Sequence, residues 1–217
     1  MISITNLSYF IGGRALYENA SMFIKPKDKI GLIGLNGRGK STLLKLIYGE
    51  LRPDSGTISK SNDCTLGFLN QDLLSYQSDD AILTVAMGAF KEVVDLERQI
   101  ETIIHQLETF YDDTLVEKLS RLQEKYDHLG GYSMQSKAEE VLEGIGFSTA
   151  DLHRPLKEFS GGWRMRVMLA KLLLENPSLL MLDEPTNHLD LPSIEWVENY
   201  LRNYEPAVMI VSHDRQF

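Results

Sequence analysis

Cysteine is nearly absent from this 217-residue chain: Cys64 is the only one. No internal disulfide can form, and a reducing compartment is the simplest fit. Cys64 itself is expected to be a packing residue in a strand. Long apolar runs are missing too. No segment approaches the roughly 20 apolar residues of a membrane span, and Met1-Ile-Ser-Ile-Thr-Asn6 has no basic stretch leading into an apolar one. A soluble, cytoplasmic protein is expected. Positive charge is scarce: 22 Lys and Arg stand against 31 Asp and Glu, a formal net charge of −9. That balance disfavours bulk attraction to nucleic acid or anionic lipid, though it leaves room for a local basic patch. His105, His128 and His153 have no partners at ligand spacing, so no metal site is read there. With 43% hydrophobic residues the chain can bury a sizeable core, as one large domain or two small ones.

The stretch that stands out is Gly34-Leu35-Asn36-Gly37-Arg38-Gly39-Lys40-Ser41. It fits G-x-x-x-x-G-K-[ST], the phosphate-binding P-loop. Lys29 to Ile33 before it reads as a short buried strand, and Thr42 to Tyr48 after it reads as a helix. Glycines let the backbone turn tightly and aim N–H groups at phosphate oxygens. The helix N-terminus adds partial positive charge at the same place. Lys40 can reach the β- and γ-phosphates of a nucleotide, and Ser41 can hold Mg²⁺. The plain alternative is a glycine-rich turn before a helix; residues further along remove most of its appeal.

Taken in order, Ile2 to Leu7 and Ala15 to Ile24 read as strands around a turn at Gly12-Gly13. Gly56 to Ser59 and Thr65 to Leu69 are two more, with Gln71 directly after. From about Ala81 the periodicity changes. Val93, Leu96, Ile100, Ile103, Ile104, Leu107 and Phe110 mark one long amphipathic helix. Asp112-Asp113-Thr114 breaks it and offers N-caps to a second, striped by Leu115, Leu119, Leu122, Tyr126 and Leu129. Gly130-Gly131 ends that one, and Ser136 to Gly144 is a third. The first two form a hairpin with one apolar seam, predicted to project from the core toward a partner. Residues 91–140 carry six basic against twelve acidic side chains, a net of −6. Ser160-Gly161-Gly162 opens a helix running Trp163 to Glu175. Ser178 to Leu182 reads as a central parallel strand ending in Asp183-Glu184. A helix from about Ser193 to Asn203 and a buried strand Ala207 to Val211 close the chain, with His213 just beyond.

An apolar strand ending in Asp-Glu downstream of a P-loop is a Walker B arrangement. With it the chain resembles an ATP-binding-cassette (ABC) ATPase across essentially its whole length, with the motifs in the family's order. Walker A is Gly34–Ser41, the Q-loop glutamine Gln71, the signature Ser160-Gly161-Gly162, Walker B 179–184, the D-loop residue Asp190 and the switch histidine His213. The resemblance implies an α/β P-loop NTPase fold with a mixed central sheet, an antiparallel β layer, and a helical subdomain carrying a hairpin arm. Residues 1–85 and 148–217 would form the core, and 86–147 the helical insertion. It implies ATP and Mg²⁺ as ligands, the phosphates held by Gly34 to Thr42 and the Mg²⁺ by Ser41, Gln71 and Asp183. Glu184 would accept a proton from the attacking water, with Gln71 and His213 assisting. Ser160, Gly161, Gly162 and Asp190 would serve the nucleotide of a second cassette facing head to tail, in the same full-length chain or a second copy. His188, in the Walker B extension, is read as structural.

Three features resemble the ABC-F branch, soluble tandem-cassette proteins of translation. They are Phe159-Ser-Gly-Gly-Trp-Arg-Met-Arg166 with Trp163 where transport cassettes usually have Gln, the wording Asp183-Glu-Pro-Thr-Asn-His-Leu-Asp190, and the hairpin between Gln71 and Ser160. The chain would then be an N-terminal cassette cut after His213, its linker and second cassette lying beyond Phe217. A ribosomal contact with rRNA, tRNA or ribosomal protein is implied. Ile11 falls where an aromatic often stacks on adenine, with Tyr9, Phe10 and Tyr17 as the alternatives nearby, and weak discrimination between ATP and GTP is expected. The alternatives are the nucleotide-binding subunit of a membrane transporter and a non-enzymatic factor that binds ATP with negligible turnover. Trp163, the arm and the Asn-His-Leu-Asp wording oppose the first; Lys40, Asp183, Glu184 and His213 oppose the second.

Overall fold

The computed structural model describes residues 1–35 and 37–212. Its centre is a parallel sheet of four short strands in the order β3-β7-β6-β5. These are Lys29–Leu32 (β3), Leu66–Leu69 (β5), Leu179–Asp183 (β6) and Ala207–Val211 (β7). Every pairing within it is parallel. β6 is buried at all five positions, as an apolar run covered on both faces must be. Its side chains alternate between two cores. Leu180 and Leu182 face one hydrophobic cluster, Leu179 and Met181 the other. β7 divides in the same way, with Val208 on the first side and Ala207, Met209 and Val211 on the second.

The second cluster is closed by the helix Lys40–Tyr48 (α1) and by an antiparallel sheet of three strands, β2-β1-β4. β1 spans Ile2–Ile11, β2 Arg14–Ile24 and β4 Ser55–Lys60. The antiparallel pairs thus lie in a sheet of their own, the antiparallel β layer expected beside the central sheet. β1 also runs past the expected Leu7, because register shifts after Ile4 and Leu7 absorb the break in alternation. Cys64 is buried just ahead of β5, outside the strand expected for it, and burial pushes its thiol pKa up.

The first cluster is helical. It gathers Ile82–Met87 (α2), Gly131–Gly144 (α5), Gly161–Glu175 (α6) and Leu191–Arg202 (α7) against the parallel sheet. Between α2 and α5 lies the predicted hairpin, Lys91–Thr109 (α3) and Asp113–His128 (α4). Asp112 caps α4, its carboxylate accepting from Thr114 N at 2.8 Å. Val93, Leu96 and Tyr126 are the buried centre of the seam, flanked by Ile100, Leu122, Leu129 and Met134. At the closed end Phe110 and Tyr111 are 69% and 72% exposed. α5 starts five residues earlier than expected. Gly130, at φ 72°, turns the chain directly from α4 into α5. Among the described residues no helix is long and apolar enough to cross a membrane.

Candidate active site

The loop after β3 delivers Gly37, Gly39 and Lys40 to the start of α1. Gly39 sits at φ 91°, and an added Cβ would lie 2.7 Å from Leu16 Cγ. A side chain is excluded there on both counts. Tyr17, half-buried, donates its hydroxyl to Gly39 O at 2.7 Å, so β2 braces the loop from behind. Burial raises the Tyr17 pKa, which keeps that donor protonated. The Lys40 ammonium donates to Gly34 O at 2.6 Å and Leu35 O at 3.1 Å, lying along its own loop.

Across a cleft of about 560 Å³ stand the ends of β5 and β6. Ser41 and Thr42 line it beside Gly37, Gly39 and Lys40; Gln71, Asp183 and Glu184 line the opposite wall. Asp183, the last residue of β6, is 7% exposed, and its Oδ1 has no hydrogen-bond partner among the described residues. A buried, unpartnered carboxylate oxygen in a cleft also lined by Ser41 and Gln71 suits a hard cation with oxygen ligands. Glu184 adopts a left-handed backbone, φ 50°, as the chain leaves β6 for the short helical turn Pro185–His188. Such strain in a non-glycine residue costs energy and is found where the surrounding structure holds a side chain in place. Its N–H donates to Val211 O at 2.9 Å, tying the turn to β7. Gln71 opens the short helical turn Gln71–Ser75, which Asn70 caps by accepting from Asp72 N. The arrangement can hold an anion at a helix N-terminus and a lysine, a cation against Asp183, and a carboxylate beside both.

The sequence reading missed part of this wall. Lys45, Asn70, Asp72 and Asn187 also line the cleft. Asn70 is nearly buried and donates to Glu50 Oε1 at 3.1 Å; an Asn directly before Gln71 is a cap signal that could have marked it. Asn36 and His213 lie outside the described residues. Arg38 faces away, lining a smaller cavity of about 270 Å³ with Ile11, Arg14, Ala15, Leu16 and Gly37. Ser160, Gly161, Gly162 and Asp190 are not among the residues that line the 560 Å³ cleft. Ser160 is the N-cap of α6, and Gly162 packs by His188. Asp190 caps α7, accepting from Ser193 N at 3.3 Å. Hydrogen bonding from Ser193, and then the Arg166 charge, hold its carboxyl below the usual range.

A family model described as ABC transporter matches residues 17–187, most of the chain. The chain is 37% identical over 220 residues to the "Uncharacterized ABC transporter ATP-binding protein YfmM" of Bacillus subtilis, covering all of this chain and 42% of that protein. It is 37% identical over 217 residues to the "Probable ATP-binding protein YheS" of Escherichia coli K12, covering all of this chain and 33% of that one. With "ABC transporter F family member 5" of Arabidopsis thaliana the identity is 35% over 222 residues, again all of this chain, and 32% of the relative. The chain thus spans 32% to 42% of the length of these relatives. Among solved structures, the ATP-binding cassette MJ0796, a dimer in a post-hydrolysis state bound to ADP and Pi, superposes with a TM-score of 0.63 at 20% identity. That match covers all of this chain and 89% of MJ0796. At that identity the likeness speaks for the fold.

Proposed function

Since this chain belongs to the ABC transporter family, we propose that it binds and hydrolyses Mg-ATP as one cassette of a cytoplasmic ABC-F protein. Closure against a second cassette would be coupled to ribosome binding and regulation of translation. The observation that carries this reading is the meeting of Lys40, Ser41, Gln71, Asp183 and Glu184 around one cleft. Residues 1–85 and 148–217 form the cassette core in this reading, and 86–147 the arm-bearing insertion.

The N–H groups at Gly37 and Gly39 and the start of α1 cradle the phosphates, and Lys40 swings from its own carbonyls to the β- and γ-oxygens. Ser41, Gln71 and Asp183 would hold Mg²⁺, which offsets the phosphate charge when bound. Glu184 takes a proton from water as that water attacks the γ-phosphorus. The bond to the β-phosphate oxygen breaks, leaving ADP and inorganic phosphate. Ser160 to Gly162 lie outside their own cleft, which supports their use at the nucleotide of a facing cassette. The ABC-F relatives, Trp163 and the α3–α4 arm favour the ribosome over a membrane subunit as partner.

Glu184→Gln, with the matching change in the second cassette, tests this. The variant should bind ATP, lose hydrolysis by roughly 10²–10⁴-fold and stay closed. In a protein of the relatives' length, it should co-sediment with ribosomes only when ATP is present. Recovery in membranes, or free in solution with ATP bound, would move the assignment to a transporter subunit or an assembly factor.

A further inference from the structure

The signature end of α6 is joined to the Glu184 strand end through one buried side chain. Arg166 lies six residues, nearly two helical turns, beyond Ser160, and its side chain is largely buried. A group that is always charged needs acceptors when water is removed. Its Nε donates to His188 O at 2.8 Å, and its Nη1 donates to Ile145 O at 2.9 Å and Ser193 Oγ at 3.2 Å, with Asp190 Oδ1 at 3.5 Å. The Trp163 ring covers it, 4.2 Å from centroid to guanidinium carbon. Gly146, at φ 110°, makes room: a Cβ there would fall 2.7 Å from Nη1. Ser193 Oγ in turn donates to Ile145 O at 2.9 Å. The end of α5, the turn after Glu184 and the start of α7 therefore converge on Arg166.

Most of these acceptors are neutral, so the contacts fix geometry more than they neutralise charge. His188 is the last residue of the turn Pro185–His188, which Glu184 begins. That turn is closed by Asn187 N donating to Glu184 O at 3.2 Å and Leu189 N donating to Thr186 O at 3.1 Å. The first turns of α6 are thus tied to His188 and, through one tight turn, to Glu184.

We propose that Arg166 is a positioning residue that couples the two nucleotide sites of a cassette pair. In each cassette it links the Ser160–Gly162 end, which serves the facing cassette's nucleotide, to Glu184, which serves its own. This rests on the composite-site reading above. A state of one site is thereby felt at the general base of the other.

The test compares wild type with Arg166→Lys and Arg166→Met, both with the second cassette present. Fluorescent N-methylanthraniloyl-ATP affinity, steady-state hydrolysis against ATP concentration, and thermal melting are measured. ATP affinity should stay within about twofold, while kcat falls about tenfold or more and the Hill coefficient drops to 1. Lysine should restore folding but not coupling, because it lacks the planar fork that reaches three acceptors at once. Unchanged kcat and Hill coefficient in a folded variant overturn the proposal, as does a loss of kcat that only tracks lost melting temperature and affinity. Should the Met variant fail to fold, the Lys variant decides. A wild type with a Hill coefficient of 1, and no dependence on a second cassette, would instead sink the composite-site reading.

Discussion

Ile11 marks where this chain departs from the aromatic expected beside a nucleobase. It is 55% exposed and borders the 270 Å³ cavity next to Gly37 and Arg38. An aliphatic side chain gives dispersion contact but no ring for a base to stack on, and stacking is worth about 1–3 kcal/mol. ATP and GTP should therefore compete for the site within a few-fold of each other, measured by displacement of N-methylanthraniloyl-ATP. Ile11→Tyr should tighten both by roughly fivefold, the low end of that stacking range. A wild-type preference for ATP beyond about tenfold would refute the argument. Lys40, Ser41, Gln71, Asp183 and Glu184 were legible because each sits in a short motif whose spacing carries its chemistry. Arg166 was not, although it stands three residues after Trp163. What defines its role are acceptors on Ile145, His188 and Ser193, 21 to 27 positions away, and no local pattern signals a buried guanidinium.

Among the elements, the arm hairpin has the clearest proton linkage. Tyr126 sits at the centre of the α3–α4 seam and donates to Glu97 Oε1 at 2.6 Å, with the Tyr132 ring edge-on to it at 5.0 Å. Burial first, and then Glu97, push its pKa up to about 12. The phenol of an unfolded chain titrates near 10. Between those values the folded arm keeps a proton that the unfolded chain releases, so stability falls as pH rises. The contribution is complete below about pH 10 and is gone once pH passes about 12. Tyr126→Phe should cost about 1 kcal/mol at neutral pH, the net worth of a hydrogen bond to a charged acceptor less the hydroxyl's desolvation. Thermal melts across pH 9 to 12 should show that gap closing, and a gap that stays constant would refute the linkage. The hairpin itself was readable from its three- and four-residue periodicity and the Asp112 cap. The start of α5 at Gly131 was not, because paired glycines read equally as the end of one helix and the entry to the next. The antiparallel layer was expected, but not that β4 joins it beside β1, because alternation reveals a strand and not its partner.

At the scale of the whole molecule, the two hydrophobic clusters on either side of the parallel sheet hold the two halves of the chemistry apart. The cleft opens where α1 and the ends of β5 and β6 meet, whereas Ser160 to Gly162 begin a helix of the opposite cluster and do not line that cleft. In the proposed reading the P-loop and the signature of one chain serve different nucleotides, so that a complete site requires two cassettes. For the 217-residue chain alone, hydrolysis per molecule should rise with protein concentration and level off once the chains are paired. Mixing separates this from simple aggregation. Lys40→Ala removes phosphate binding, and Gly162→Glu places an anion where a facing nucleotide would be capped; each variant alone should be nearly inactive. In a mixed pair, the intact P-loop of the second variant meets the intact signature of the first, restoring one site of two. With random pairing of equal amounts half of the pairs carry one complete site, so activity should recover to at most about a quarter of wild type, and to less where the two sites are coupled. Robust turnover that stays strictly linear in concentration, with no recovery on mixing, would place a whole active site within one chain and refute the composite site.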